Sequence, residues 1–184
     1  MIRRNTGFAQ TKTVIMQKET KVDSPFNNLL SINFENTIGK NLYSYQKSLL
    51  ENHKNHNIIN KSRQLGITTF IACYALWNAI LNKQTVLVCS PSLRQSHHVM
   101  SEINKFLQEV KTSQVFPTLN IVLENQSYIK FGTGGEIYSL PNSPETIVGL
   151  KADVVILDEF SKFMNETDKK IMEALLPTLS RGGE

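Results

Sequence analysis

Asp158 and Glu159, which close the apolar run Val154-Val155-Ile156-Leu157, are the residues whose types and spacing point most directly to chemistry. Adjacent carboxylates at a strand end repel each other unless a cation or hydrogen-bond donors compensate them. A divalent metal is their natural partner, with Asp158 binding the ion and Glu159 polarising an attacking water. Far upstream stands Lys61-Ser62-Arg63-Gln64-Leu65-Gly66-Ile67-Thr68-Thr69, set between a short strand and a helix start. Backbone N–H groups from Arg63 to Thr69 can curl around a phosphate, and the helix that follows offers its positive N-terminus. Gly66 allows close approach of the backbone, and Thr68 brings a hydroxyl to the position that ligates Mg2+.

Set against the phosphate-loop pattern G-x-x-x-x-G-K-[ST], Gly66 and Thr68 match. Ile67 fills the lysine position and Lys61 the first glycine position. An isoleucine cannot contact phosphate favourably, so positive charge must come from Lys61 or Arg63. Each charge-assisted hydrogen bond contributes about 1.5–3 kcal/mol, so losing the usual lysine without a substitute would cost orders of magnitude. Taken alone, the loop also reads as an ordinary strand-to-helix turn, and the acidic run as a buried strand emerging into solvent. Placed on one sheet, the two favour a site for Mg2+ and ATP.

The elements that must position these groups follow from apolar periodicity. Residues 45–53 and 68–81 read as helices, the second apolar on nearly every side and therefore buried. A long helix over 92–111 begins at an N-cap serine. Residues 57–60, 85–89 and 154–157 read as strands, the last two buried on both faces. Short alternating strands over 120–123, 127–131 and 136–140 are split by Asn125-Gln126 and by Gly132-Thr133-Gly134-Gly135, which reads as a hairpin turn and not a second phosphate site. A final helix over 165–176 is expected to stop at Pro177. Residues 1–40 read as a loose arm followed by a short strand or turn, the lead-in to a folded domain over 41–184. The sum is an α/β fold with a mainly parallel central sheet flanked by helices and a small antiparallel excursion. Lys61–Thr69, Ser90-Pro91 and Asp158-Glu159 all fall at the carboxyl ends of strands, where such sheets bind ligands.

Composition narrows the class further. The net charge of +4 lies entirely in residues 1–21, where Arg3, Arg4, Lys12, Lys18 and Lys21 face Glu19 alone. The rest is neutral, so bulk charge makes no case for nucleic acid, although a basic arm could touch it. No apolar run reaches the roughly 18 residues of a membrane span, and the N-terminus lacks a signal-peptide core. Cys73 and Cys89 lie in apolar segments and read as reduced, buried side chains. His53 and His56 read as a polar helix end, and His97-His98 as solvated.

Four ordered motifs carry a resemblance to the ATPase domain of tailed-phage terminase large subunits, the motors that package double-stranded DNA. They are Tyr45-Gln46, the loop at 61–69, Val88-Cys89-Ser90-Pro91-Ser92, and Ala152-Asp153-Val154-Val155-Ile156-Leu157-Asp158-Glu159-Phe160. The resemblance spans roughly residues 40–183 and implies a RecA/ASCE-like P-loop NTPase. It implies that Tyr45 and Gln46 read adenine, that Arg63 acts as a cis arginine finger, and that Lys61 is a displaced phosphate-loop lysine. Ser62, Gln64, Leu65, Gly66, Ile67, Thr68 and Thr69 would line the nucleotide, with Thr68 and Asp158 on Mg2+ and Glu159 catalytic. Ser90-Pro91-Ser92 would couple nucleotide state to DNA. By the same resemblance the partners are double-stranded DNA, portal protein and small terminase subunit, in a homo-oligomeric ring in the host cytoplasm. The family's nuclease domain is not expected in this chain, which reads as an ATPase-lobe fragment, or a truncated product, of a longer protein. The alternatives are a non-hydrolysing nucleotide- or DNA-binding module and a helicase-type ATPase.

Overall fold

A computed structural model of the chain describes residues 11–17, 35, 41–51, 56–61, 65–112, 119–163 and 167–180. Its strands are β1 (Thr11–Gln17), β2 (His56–Lys61), β3 (Thr85–Ser90), β4 (Ile121–Glu124), β5 (Tyr128–Phe131), β6 (Glu136–Pro141) and β7 (Val154–Leu157). Its helices are α1 (Ser44–Glu51), α2 (Ile67–Ile80), α3 (Leu93–Thr112), α4 (Pro144–Ile147) and α5 (Thr167–Ser180).

The buried strands alternate between two apolar clusters. Val86, Val88, Val154 and Ile156 enter one, under α1, α2 and α3; Leu87, Cys89, Val155 and Leu157 enter the other, under α4 and α5. Helix α2 has eleven of its fourteen residues buried, which its apolar circumference predicts. Helix α3 starts as expected at Ser92, whose Oγ accepts from the Gln95 N–H at 3.3 Å. The glycine-rich stretch forms the β5–β6 hairpin turn. Gly135 there packs so closely on α2 that a Cβ would stand 1.9 Å from the Ala79 carbonyl oxygen.

The sheet runs β2-β1-β7-β3-β6-β5-β4. Three expectations need correction. The loose arm over 1–40 fails at Thr11–Gln17, which forms β1 between β2 and β7, antiparallel to both. Its Thr13, Ile15 and Met16 are buried, and its partners are distant in sequence, so no local pattern announces it. The sheet is accordingly mixed: among the described residues only β3·β6 and β3·β7 pair in parallel. Finally, α5 runs through Pro177 to Ser180. Leu175 just before the expected stop and Thr178 just beyond it are buried, and the Thr178 hydroxyl donates to the Ala174 carbonyl at 2.9 Å, so packing and a side-chain bond hold the turn that proline weakens.

Two outcomes follow. Gly135→Ala should lower stability by about 1–3 kcal/mol in urea denaturation, because neither backbone can yield freely. Burial pushes the Cys89 thiol from 9.0 to about 12 and the Tyr74 phenol from 10.0 to about 12. Both groups hold their protons more tightly when folded. Their contribution is whole below pH 9.0 and is lost as pH rises towards about 12. A denaturation midpoint that stays flat across that window would contradict the burial of both groups.

Candidate functional site

Alternation along the strands brings chemistry to one end of one sheet face. Ile59 on β2, Ile15 on β1 and Ile156 on β7 all enter the α2–α3 core, so Lys61, Thr13 and Asp158, two positions away, face the same side. Lys61 Nζ lies 3.2 Å from Asp158 Oδ1, with the two side chains only 9% and 7% exposed. The Thr13 hydroxyl donates to the same oxygen at 3.1 Å, and the Glu159 N–H to it at 3.0 Å. The Asp158 N–H extends the β3–β7 ladder by donating to the Cys89 carbonyl. The aspartate is thus fixed through backbone and side chain together.

Glu159 departs from the strand. It adopts φ 50 and ψ 37, left-handed values that cost a non-glycine residue of order 1–3 kcal/mol. Its Oε2 accepts from Gln95 Nε2, in the first turn of α3, and from Lys162 Nζ at 2.6 Å. Strain of this kind persists where surrounding contacts hold it, and it is concentrated at functional sites.

Gly66 caps α2 in the left-handed region at φ 66, with no side-chain cap bond, so the first-turn N–H groups carry no capping side chain. The Gln46 amide donates to the Gly66 carbonyl at 3.2 Å and accepts from the Tyr43 N–H at 2.9 Å; the Tyr45 hydroxyl donates to the Leu65 carbonyl. Tyr45 and Gln46 therefore brace the loop from α1, with both ends of the Gln46 amide engaged. Ile67 is 3% exposed and packs in the α2–α3 core, while Thr68 and Thr69 are half-buried. Ser62, Arg63 and Gln64 lie outside the described residues.

The donors fit Mg2+ only in company. Among the described residues no three His, Cys, Asp or Glu side chains form a metal cage. Mg2+ characteristically takes one or two carboxylates and completes its shell with phosphate oxygens and waters. Asp158 could supply one such carboxylate. Ser90, fully buried at the tip of β3, has a hydroxyl without a hydrogen-bond partner among the described residues, a polar position that suits a bound water.

Sequence reading missed Thr13, Gln95 and Lys162. Thr13 lies in a segment taken as an arm. Gln95 was legible only as the third residue after an N-cap serine, and Lys162 only as three residues beyond Glu159.

This is an α/β protein with a charged site at its strand tips, built from Lys61, Asp158 and Glu159. The family model described as "Terminase large subunit, T4likevirus-type, N-terminal" matches residues 58–180, more than half of the chain, and the chain belongs to that family. Membership gives it a role in DNA packaging at the level of the family. No curated protein matches the chain. Among the described residues no helix is long and apolar enough to cross a membrane.

Removing either partner of the Lys61–Asp158 pair strands a buried charge. Lys61→Met and Asp158→Leu should each lower stability by about 3–5 kcal/mol, while the double variant recovers most of the loss. Additive losses in a urea double-mutant cycle would show that the two charges do not interact.

Proposed function

We propose that this chain is a RecA/ASCE-like P-loop ATPase that binds ATP with Mg2+ and hydrolyses it to drive double-stranded DNA into a procapsid. One observation carries this function: a buried ammonium, Lys61 Nζ, stands 3.2 Å from the Asp158 carboxylate. Ile67 meanwhile turns into the core, so the charge missing from the phosphate-loop pattern is supplied from the tip of β2.

Lys61 and the first-turn N–H groups of α2 would hold phosphate oxygens, with backbone from Ser62, Gln64, Leu65, Gly66, Ile67 and Thr69 completing the cradle. The Thr68 hydroxyl and Asp158 would hold Mg2+. When bound, the ion withdraws charge from the phosphates and neutralises what develops on the transferred group. Glu159 would orient and polarise the attacking water, and Arg63 would stabilise charge on the transferred phosphoryl group. Tyr45 and Gln46 would sit at the base, linking adenine to the loop they brace. Ring assembly, portal protein, the small terminase subunit and a place in the host cytoplasm belong to the same proposal.

A second reading, nucleotide binding without hydrolysis, draws support from Glu159, whose carboxylate already carries Gln95 and Lys162. Turnover separates the two. Glu159→Gln should retain ATP affinity and lower phosphate release by about 10²-fold or more. Lys61→Ala should weaken ATP binding by about tenfold or more. Ile67→Ala should cost stability and leave affinity nearly intact. ATP affinity without phosphate release in the parent chain would favour the second reading, and the reverse order of the Lys61 and Ile67 effects would end the role given to Lys61.

A further inference from the structure

The β-ladders place a hydroxyl on each side of Asp158. Val14 pairs with Leu157 in the antiparallel β1–β7 ladder, so the next pair is Thr13 with Asp158. Cys89 pairs with Leu157 in the parallel β3–β7 ladder, which sets Ser90 beside Asp158 on the other side. Val88 and Ile156 enter the α2–α3 core, and two residues on, Ser90 and Asp158 face that same side. Neighbouring strands lie about 4.8 Å apart, so the three side chains form a row across the strand tips. All three residues are buried, Thr13 and Ser90 completely.

The two hydroxyls differ in what they do. Thr13 donates to Asp158 Oδ1 at 3.1 Å. Ser90 Oγ has no partner among the described residues, although a buried hydroxyl left unpaired costs about 1–3 kcal/mol. Every donor described on Asp158, from Thr13, Lys61 and the Glu159 N–H, converges on Oδ1. One carboxylate oxygen is therefore held by three donors.

We propose that Thr13 and Ser90 are positioning residues for a divalent cation bound at Asp158. Thr13 fixes the carboxylate through one oxygen, and Ser90 accepts a hydrogen bond from a water in the cation's shell. Groups that orient a ligand or its waters typically govern metal affinity by 10–100-fold. The proposal rests on the nucleotide site described above and assigns part of its metal affinity to β1, a strand that the sequence pattern leaves outside the site, and part to the tip of β3.

The test is calorimetric titration of the chain with the non-hydrolysable analogue AMP-PNP, first in EDTA and then with Mg2+. In the parent chain Mg2+ should tighten AMP-PNP binding. Thr13→Val and Ser90→Ala should each reduce the tightening by about tenfold and leave the EDTA affinity unchanged, and Thr13→Ser should restore it. In an Asp158→Asn background neither variant should add a further loss. Equal Mg2+ tightening in parent, Thr13→Val and Ser90→Ala would overturn the positioning roles and leave the nucleotide site standing. A loss of affinity equal in EDTA and Mg2+ would also overturn them, showing general damage. AMP-PNP binding that Mg2+ does not tighten in the parent would remove the metal from Asp158. No AMP-PNP binding at all in the parent would end the nucleotide site and this proposal together.

Discussion

The site depends on a lysine reaching across a strand. β2 and β7 are separated by β1, so their backbones stand about 10 Å apart at 4.8 Å per strand. Only a long side chain bridges that gap, and Lys61 does so to reach Asp158 Oδ1 at 3.2 Å. Burying both charges costs several kcal/mol for each ion, which mutual attraction offsets only when additional hydrogen bonds complete the geometry. Thr13, on the strand between them, supplies one such bond and the Glu159 N–H another. Without β1 the pair would have neither its intermediate donor nor its cover. The strand with the least sequence signal is thus the one that makes the charged pair tolerable.

Placing the ammonium on a strand also frees the helix start. A lysine at position 67 would have to keep a charged end out of the apolar core on a residue whose side chain here packs against it. Ile67 instead joins Phe70 and Ile71 in that core and anchors the first turn of α2. Gln46 and Tyr45 hold the preceding carbonyls from the other side. The loop's C-terminal half is therefore tied at Leu65, Gly66 and Ile67 before any ligand arrives. Such pre-ordering lowers the entropy lost when a phosphate is bound. Position 67 contributes packing, position 61 charge, and the two tasks are divided between a helix and a strand.

Local periodicity carried much of this in the sequence. Helices α2 and α3 and strands β3 and β7 were legible because burial repeats within a few residues, as in Val86–Cys89 alternating between two cores. Lys61, Gly66, Asp158 and Glu159 stand out in the sequence because a glycine before a helix and an acidic strand tip are short local patterns. What could not be read depends on distant pairing. Thr13 meets Asp158 across 145 residues, and Gln95 meets Glu159 across 64. β1 has seven residues, opens with Thr11-Lys12 and closes with Gln17, and its two faces are buried by segments far along the chain. The mixed sheet was missed for the same reason, since inserting β1 antiparallel changes two neighbour pairs at once. Pro177 misled differently: its weak turn is held by the burial of Leu175 and Thr178, a tertiary effect that overrides a sound local rule.

The two carboxylates share one design. Among the described residues Asp158 takes all its donors on Oδ1, and Glu159 takes both of its donors on Oε2. In each case one oxygen is pinned by these donors. The anchors differ in kind. Asp158 is held by buried groups on β1, β2 and its own backbone, all within the sheet. Glu159 is held by the first turn of α3 and by Lys162, and its left-handed backbone needs those contacts to offset its strain. A metal ligand benefits from a rigid, dry anchor, because coordination geometry tolerates little displacement. A residue that must polarise water needs an oxygen able to engage and release it. The adjacent residues are thus suited to different tasks by what holds them: the sheet fixes the first, and a helix end steadies the second.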